Sequence, residues 1–167
     1  MRLPNRKPGK YTFPTFDPHI TQSQFDAMQS KLEHLKKVAR LKAIKETNLY
    51  AENGDFSENA EYQIAKERLR GMNRTIDELE YQLPRAIIIE KPPENSVVQM
   101  GHTVTVSTAD NNEITWKILG PKESNPSAGI ISYASPIGTA LIGKSVADVA
   151  TVQLADRTVK YTIKSIT

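Results

Sequence analysis

Two carboxylates three residues apart, Asp55 and Glu58, are the side chains in this sequence best suited to chemistry, and they stand in the run Gly54-Asp55-Phe56-Ser57-Glu58-Asn59-Ala60-Glu61-Tyr62. At the start of a helix an i, i+3 spacing sets both acids on the same side of the first turn, where such a pair can share a divalent cation. The same spacing has a structural reading. Asp-x-x-Glu is a capping box, with Asp55 as N-cap and Glu58 answering from the third position, and acids there also suit the helix dipole. Ser57 can serve as the cap instead, which leaves Asp55 free. Capping accounts for one pair of acids. It does not account for the cluster of Glu46, Glu52, Asp55, Glu58 and Glu61 in residues 46–61, a stretch that holds no Lys or Arg.

Cysteine is absent and the three histidines lie far apart in sequence, so neither a disulfide framework nor a thiolate metal site is available. Chemistry here must come from oxygen ligands.

The elements that must position these acids follow from apolar spacing. Thr21 with Gln24 three residues on is a capping-box start. Phe25, Met28, Leu32 and Leu35 then step by three and four, and Val38, Leu41 and Ile44 continue the stripe with a drift in phase. Glu52-Asn53-Gly54-Asp55 is the strong turn signal between residues 20 and 83. After it Tyr62, Ala65, Leu69, Met72, Ile76, Leu79 and Leu83 form a heptad seam that Pro84 stops. Two helices with one apolar stripe each, joined by a tight turn, pack antiparallel. About 30 residues per arm at 1.5 Å rise makes a rod of roughly 45 Å with the acids at its tip.

Charge is segregated along that rod. Residues 31–45 carry Lys31, Lys36, Lys37, Arg40, Lys42 and Lys45 against Glu33 alone. A basic shaft behind an acidic tip suits a partner that offers phosphate to the shaft and a cation to the tip, although a charged run on a helix is also an ordinary solvated face. On these grounds Lys36, Lys37, Arg40 and, from the second arm, Lys66 are candidate phosphate contacts.

Beyond residue 96 the period changes to two, in residues 102–106, 114–118 and 159–163, with hairpin turns expected at 109–112 and 155–156. Ser135-Pro136 opens a short helix over 137–142. The fold class is therefore α+β: a basic, proline-rich tail (1–18), a coiled-coil hairpin (19–84, tip near 53–58), a linker (85–95) and a small antiparallel sheet domain with a short helix (96–167). No apolar run is long enough for a bilayer span and residues 1–18 lack the core of a secretory signal, so a cytoplasmic protein without a membrane partner is expected. With 38% hydrophobic and 25% charged residues the composition is that of a globular chain.

The tip run resembles the Gly-Asp-x-x-Glu-Asn-Ala-Glu-Tyr signature of the Gre transcript-cleavage factors. Residues 131–144, which contain Ile131-Ser132, Ser135-Pro136 and Leu141-Ile142-Gly143-Lys144, resemble a second segment of that family. The resemblance spans about residues 20–167. It implies that the hairpin enters the secondary channel of bacterial RNA polymerase while an FKBP-like C-terminal domain docks at the rim, with Ser135, Pro136 and Ile137 near the contact. It further implies that Asp55 and Glu58 help hold a Mg²⁺ shared with the polymerase and orient the water that cleaves backtracked nascent RNA near its 3′ end. The factor would act as a monomer and as an accessory rather than an enzyme. The chain departs from the family's first helix at Gln24 and at Lys37-Val38-Ala39-Arg40. Subtype stays open, since Asn59-Ala60-Glu61-Tyr62 leans to the A form and Lys66, Leu69-Arg70 and Arg74 to the B form. Three rivals remain: a channel binder that inhibits without cleavage, a prolyl isomerase built on Trp116, Tyr133 and Tyr161, and a coiled-coil adaptor.

Overall fold

The first long helix begins where a hydroxyl caps it: Thr21 Oγ1 accepts from the Gln24 backbone N–H, and helix α1 runs Gln22–His34. The computed structural model that shows this describes residues 16–52, 59–90, 92–93, 97–153 and 158–167. Thr21 is the expected cap, but Gln24 does not complete the box. The Thr21 backbone N–H is taken instead by a carboxylate from the other end of the chain, Glu123.

The arm then passes through a π-helical turn, Leu35–Ala39, before α2, Arg40–Ala51. This turn corrects the expected seam. Leu35, Val38, Leu41 and Ile44 follow one another by three residues, and each such step falls about 60° short of a full α-helical turn. The wider π turn brings the residue four on, Ala39, back to the inner face. Ala43 continues that face, buried to 3% exposure, whereas Val38 and Leu41 stand out at 54% and 53%.

Helix α3, Ala60–Gln82, returns antiparallel to α2. Its seam is as expected: Ala65, Ile76 and Leu79 are buried, and Tyr62, Leu69, Met72 and Leu83 half-buried. Pro84 sits inside a 3-10 turn, Leu83–Arg85, that ends the arm. At the base, Ile20, Met28 and Leu79 pack with Phe25, Leu32, Leu35, Leu83, Ala86 and Ile88.

The segments before and after the hairpin pair with each other. β1 (His19–Ile20) and β2 (Ile87–Ile88) form a two-stranded parallel ladder, so the expected linker carries a strand. The end of the expected tail is engaged as well: the Phe16 ring meets Tyr81 edge-on at 5.8 Å.

The C-terminal domain is a five-stranded sheet. Its strands are β3 (Thr103–Ser107), β4 (Glu113–Leu119), β5 (Ile130–Ser132), β6 (Val149–Gln153) and β7 (Thr158–Ile166), in the order β5-β4-β3-β7-β6. Every pairing is antiparallel except β4 with β5. Thr105 pairs with Ser165 and Val106 with Ile163, which leaves Lys164 unopposed in a bulge. Asn111 takes a positive φ of 55° in the β3–β4 turn, as its type allows. The turn expected at 155–156 lies outside the described residues. Helix α4, Pro136–Leu141, closes one face, and Val104, Val106, Trp116, Ile118, Leu141, Tyr161 and Ile163 fill the core. His102 is fully buried with both ring nitrogens used: Nδ1 accepts from the Gln99 N–H, so Nε2 carries the proton and donates to the Pro93 carbonyl.

The two units meet at β1. A Cβ on Gly120 would lie 2.2 Å from the His19 carbonyl oxygen, so only glycine lets the C-terminal domain reach this strand. Gly120→Ala is expected to destabilise the protein by about 1–3 kcal/mol through overpacking. Gly71→Ala, in α3 with open space around its Cα, should stabilise by about 0.5–1 kcal/mol. Urea unfolding of both variants checks the contrast, and equal effects of like sign would refute the close approach.

Candidate functional site

The tip is framed by one asparagine. Asn59 is the N-cap of α3: its Oδ1 accepts from the Tyr62 N–H at 2.9 Å, and its Nδ2 donates to the Tyr50 carbonyl of α2 at 2.8 Å. One side chain thus caps the returning arm and ties it to the outgoing arm. The capping role weighed for Asp55, with Ser57 as alternative, belongs to Asn59 in this helix. Asp55 and Glu58 fall in 53–58, outside the described residues. Glu61 lies in the first turn of α3, and Glu46 is met by Arg68 at 3.4 Å.

The shaft residues singled out from sequence are mostly engaged. Lys36 pairs with Glu80 across the hairpin at 2.7 Å, Arg40 Nε donates to Asn73 at 2.9 Å, and Lys66 lies 5.2 Å from the Tyr62 ring centroid. Lys37 pairs with Glu33 one turn earlier, and that hydrogen bond holds the Glu33 carboxyl below its ordinary range. Surface contacts of this kind order the side chains without locking them. Lys42, Lys45 and Arg70 are exposed and have no partner among the described residues. Sequence reasoning passed them over, although Lys42 and Lys45 belong to the same basic run.

Ser135, Pro136 and Ile137 form the start of α4. The Ser135 hydroxyl accepts from the Gly138 N–H at 3.0 Å and donates to the Ser132 carbonyl at 2.6 Å. Ile137 packs against the core, which leaves Pro136 as the exposed member. Trp116 and Tyr161 stack edge-to-face at 5.2 Å inside the same core, so they line no isomerase pocket.

The joint at the hairpin base was not foreseen. Glu123, in a 3-10 turn Pro121–Glu123, takes the Thr21 N–H at Oε2 (2.7 Å) and the Thr21 hydroxyl at Oε1 (2.6 Å). Four residues earlier, Asp17 accepts from the Tyr133 hydroxyl, the His19 N–H and the His19 ring. Lys122 reaches Gln82 and lies 5.0 Å from the Phe16 ring centroid. Burial alone would raise the Asp17 carboxyl, but the hydrogen bonds from Tyr133 and His19 hold it below its ordinary value. The bond to Asp17 in turn raises the Tyr133 hydroxyl. No local pattern could reveal these contacts, since their partners are 102 and 116 residues apart.

No three His, Cys, Asp or Glu side chains converge into a metal site among the described residues, and no described helix is long and apolar enough to cross a membrane. Two family models match the chain: "Transcription elongation factor, N-terminal" over residues 19–88 and "Transcription elongation factor, GreA/GreB, C-term" over 93–167. The transcription elongation factor GreA of Macrococcus caseolyticus is 40% identical over 136 residues, 81% of this chain and 86% of that one. The GreA of Nautilia profundicola is 38% identical over 149 residues, 88% of this chain and 92% of that one. A solved structure, the GreA factor homolog 1 (Gfh1) protein of Thermus thermophilus, aligns with 91% of this chain and 99% of its own at 24% identity. Its TM-score of 0.41 is too low to bear on function.

Because the folded Asp17 carboxyl is depressed, its stabilising contribution is fully present above the unfolded value of about 4 and is lost as pH falls through the lower folded value. Tyr133→Phe removes the bond first among those that depress it. The stability difference between this variant and the unmodified protein should be constant from pH 7 to about 5 and shrink below pH 4, as read by urea unfolding. A difference that grows on acidification would contradict the assignment.

Proposed function

The chain belongs to the GreA/GreB family of transcription elongation factors, and from that premise we propose that it stimulates bacterial RNA polymerase to cleave its own backtracked transcript. In this reading the hairpin enters the secondary channel tip first, while the C-terminal domain stays at the rim with Pro136 near the contact. Asp55 and Glu58 are the acids delivered to the polymerase active centre, where they steady the attacking water at the RNA 3′ end. A Mg²⁺ shared with the polymerase supplies Lewis-acid activation there, in a two-metal hydrolysis divided between two proteins. The factor is an accessory and the polymerase is the enzyme, because two carboxylates in water bind Mg²⁺ too weakly to organise hydrolysis alone. It acts as a cytoplasmic monomer.

The observation that carries this reading is the cap of α3. With Asn59 holding the first turn, that helix has no need of Asp55 or Glu58 as its cap. Lys42, Lys45 and Arg70, which have no partner among the described residues, support a phosphate-facing shaft, since such charge is available to displaced RNA.

Asp55→Asn and Glu58→Gln should each slow stimulated cleavage about 100-fold, the equivalent of ~3 kcal/mol of transition-state stabilisation, without changing the melting temperature. A backtracked elongation complex with labelled RNA gives the rate, and the factor without polymerase should leave RNA intact. Cleavage by both variants at the unmodified rate would end the two-carboxylate mechanism.

On the shaft, Lys42→Ala with Lys45→Ala should weaken cleavage of long backtracked RNA more than Lys36→Ala with Lys37→Ala does, because the first pair has no carboxylate partner among the described residues. Both losses should shrink as salt rises. Equal activity of both double variants at low salt would remove the shaft from RNA contact.

A further inference from the structure

We propose that Glu123 is a positioning residue that aims the hairpin: its carboxylate grips the N-cap of α1 from the other domain and so sets where the tip arrives. The inference deepens the proposed function and rests on it.

A helix N-terminus ordinarily answers its own cap. In a capping box the N-cap N–H is taken by the side chain three residues on, which here would be Gln24. The chain has that glutamine, yet the N–H and the hydroxyl of Thr21 both go to Glu123. A local glutamine would hold the helix start without reference to anything else. A carboxylate from the C-terminal domain holds it just as well for the helix, and it also makes the direction of α1 depend on that domain. The bond is a strong one of its kind, with two short charge-assisted contacts to one acid at the positive end of a helix dipole.

The element that presents Glu123 is itself stiff. It is the last residue of a 3-10 turn begun by Gly120 and Pro121, where the proline fixes φ and the glycine backbone lies against the His19 carbonyl. Gly120 therefore meets the chain at residue 19 and Glu123 meets it at residue 21, while Tyr133 meets Asp17. Contacts at three points along one short segment resist rotation where a single point would act as a pivot.

Length turns this into a requirement. Over a rod of about 45 Å, one degree at the base moves the tip by roughly 0.8 Å. Reacting groups must be held within about 0.5 Å, and a 1 Å misplacement can cost about 100-fold in rate. An angular freedom of a few degrees at Thr21 is thus a catalytic defect even when every residue at the tip is intact.

The test uses the full chain, whose lack of cysteine permits clean labelling. Spin labels at Leu49→Cys, near the tip, and Val149→Cys, on β6, report the distance between arm and domain by pulsed electron resonance. Glu123→Gln and Thr21→Val are expected to broaden that distance distribution. They should lower the maximal cleavage rate about 10-fold, with the half-saturating concentration changed less than 3-fold. Thr21→Ser, which keeps both donors, should restore both readings. A loss of fold alone would move the circular-dichroism melt and the half-saturating concentration together, without this split. An unmoved distance, or a broadened distance with an unchanged maximal rate, would overturn the proposal. Should the unmodified factor stimulate no cleavage at all, the proposed function fails and the positioning proposal, which is defined by that rate, fails with it. A normal rate that Asp55→Asn abolishes while the distance stays sharp would separate the tip's chemistry from its aim.

Discussion

The grip of the C-terminal domain on residues 17–21 is the constraint from which the rest of this molecule follows. A long hairpin is a lever, and a lever is only as well placed as its fulcrum. Here the fulcrum is a short run of backbone held by Tyr133 at Asp17, by Gly120 at His19 and by Glu123 at Thr21. The parallel ladder of β1 with β2 brings the chain leaving the hairpin back to the same place, so both arms are anchored at one point of the domain. Apolar packing of Ile20, Met28 and Leu79 holds the two arms together at this base, while the polar contacts tie the base to the C-terminal domain. Hydrophobic burial is non-directional and could not set an angle by itself.

Above the base the hairpin is slender. Its buried inner residues are Ala43 and Ala65 toward the tip and Ile76 further down, small side chains that let the arms approach closely but contribute little transfer free energy. Exposed pairs across and along the arms, such as Lys36 with Glu80, add order but little energy, and Asn59 joins the arms at the far end. The π turn at Leu35–Ala39 separates the two regimes: large residues pack below it and alanines above it. By turning Val38 and Leu41 outward it also leaves apolar surface on a shaft that the proposed function places inside a protein channel.

Much of this was legible in the sequence because its causes are local. Thr21 as a cap, the seam of α3, Pro84 as a stop, Ser135-Pro136 as a helix start and the strands around Val104, Trp116 and Tyr161 all follow from spacing within a few residues. Other features were not legible, for different reasons. Leu35, Val38, Leu41 and Ile44 read as one drifting stripe because single-chain periodicity has no means of choosing a π turn over a drift. β5 and β6 were missed since Ile130-Ile131-Ser132 is too short to alternate and Val149–Gln153 is an edge strand. Glu123 belongs to no motif in the sequence. Its partner is 102 residues away, and no pattern within either segment points to the other. For the candidate site, the fate of the cap was not readable, since Asn59 competes with Asp55 and Ser57 on nearly equal intrinsic terms, and the acids Asp55 and Glu58 lie outside the described residues.

That competition bears on why the tip is acidic at all. A capping carboxylate would be stabilised by the amides it satisfies, which would offset its repulsion from neighbouring acids. Once a neutral asparagine holds α3, Asp55, Glu58 and Glu61 add negative charge to a segment in which residues 46–61 carry no cation. Arg68 reaches Glu46 but not the acids beyond it in the described residues. Such a cluster is a standing electrostatic cost to the isolated hairpin, modest in water and larger wherever water is excluded. A hairpin optimised only to fold would replace it with neutral turn residues at no loss of capping. In the proposed function a divalent cation at the end of a polymerase-lined path would reverse the sign of that cost, and the charge that disfavours the free tip would then draw it to its place of work.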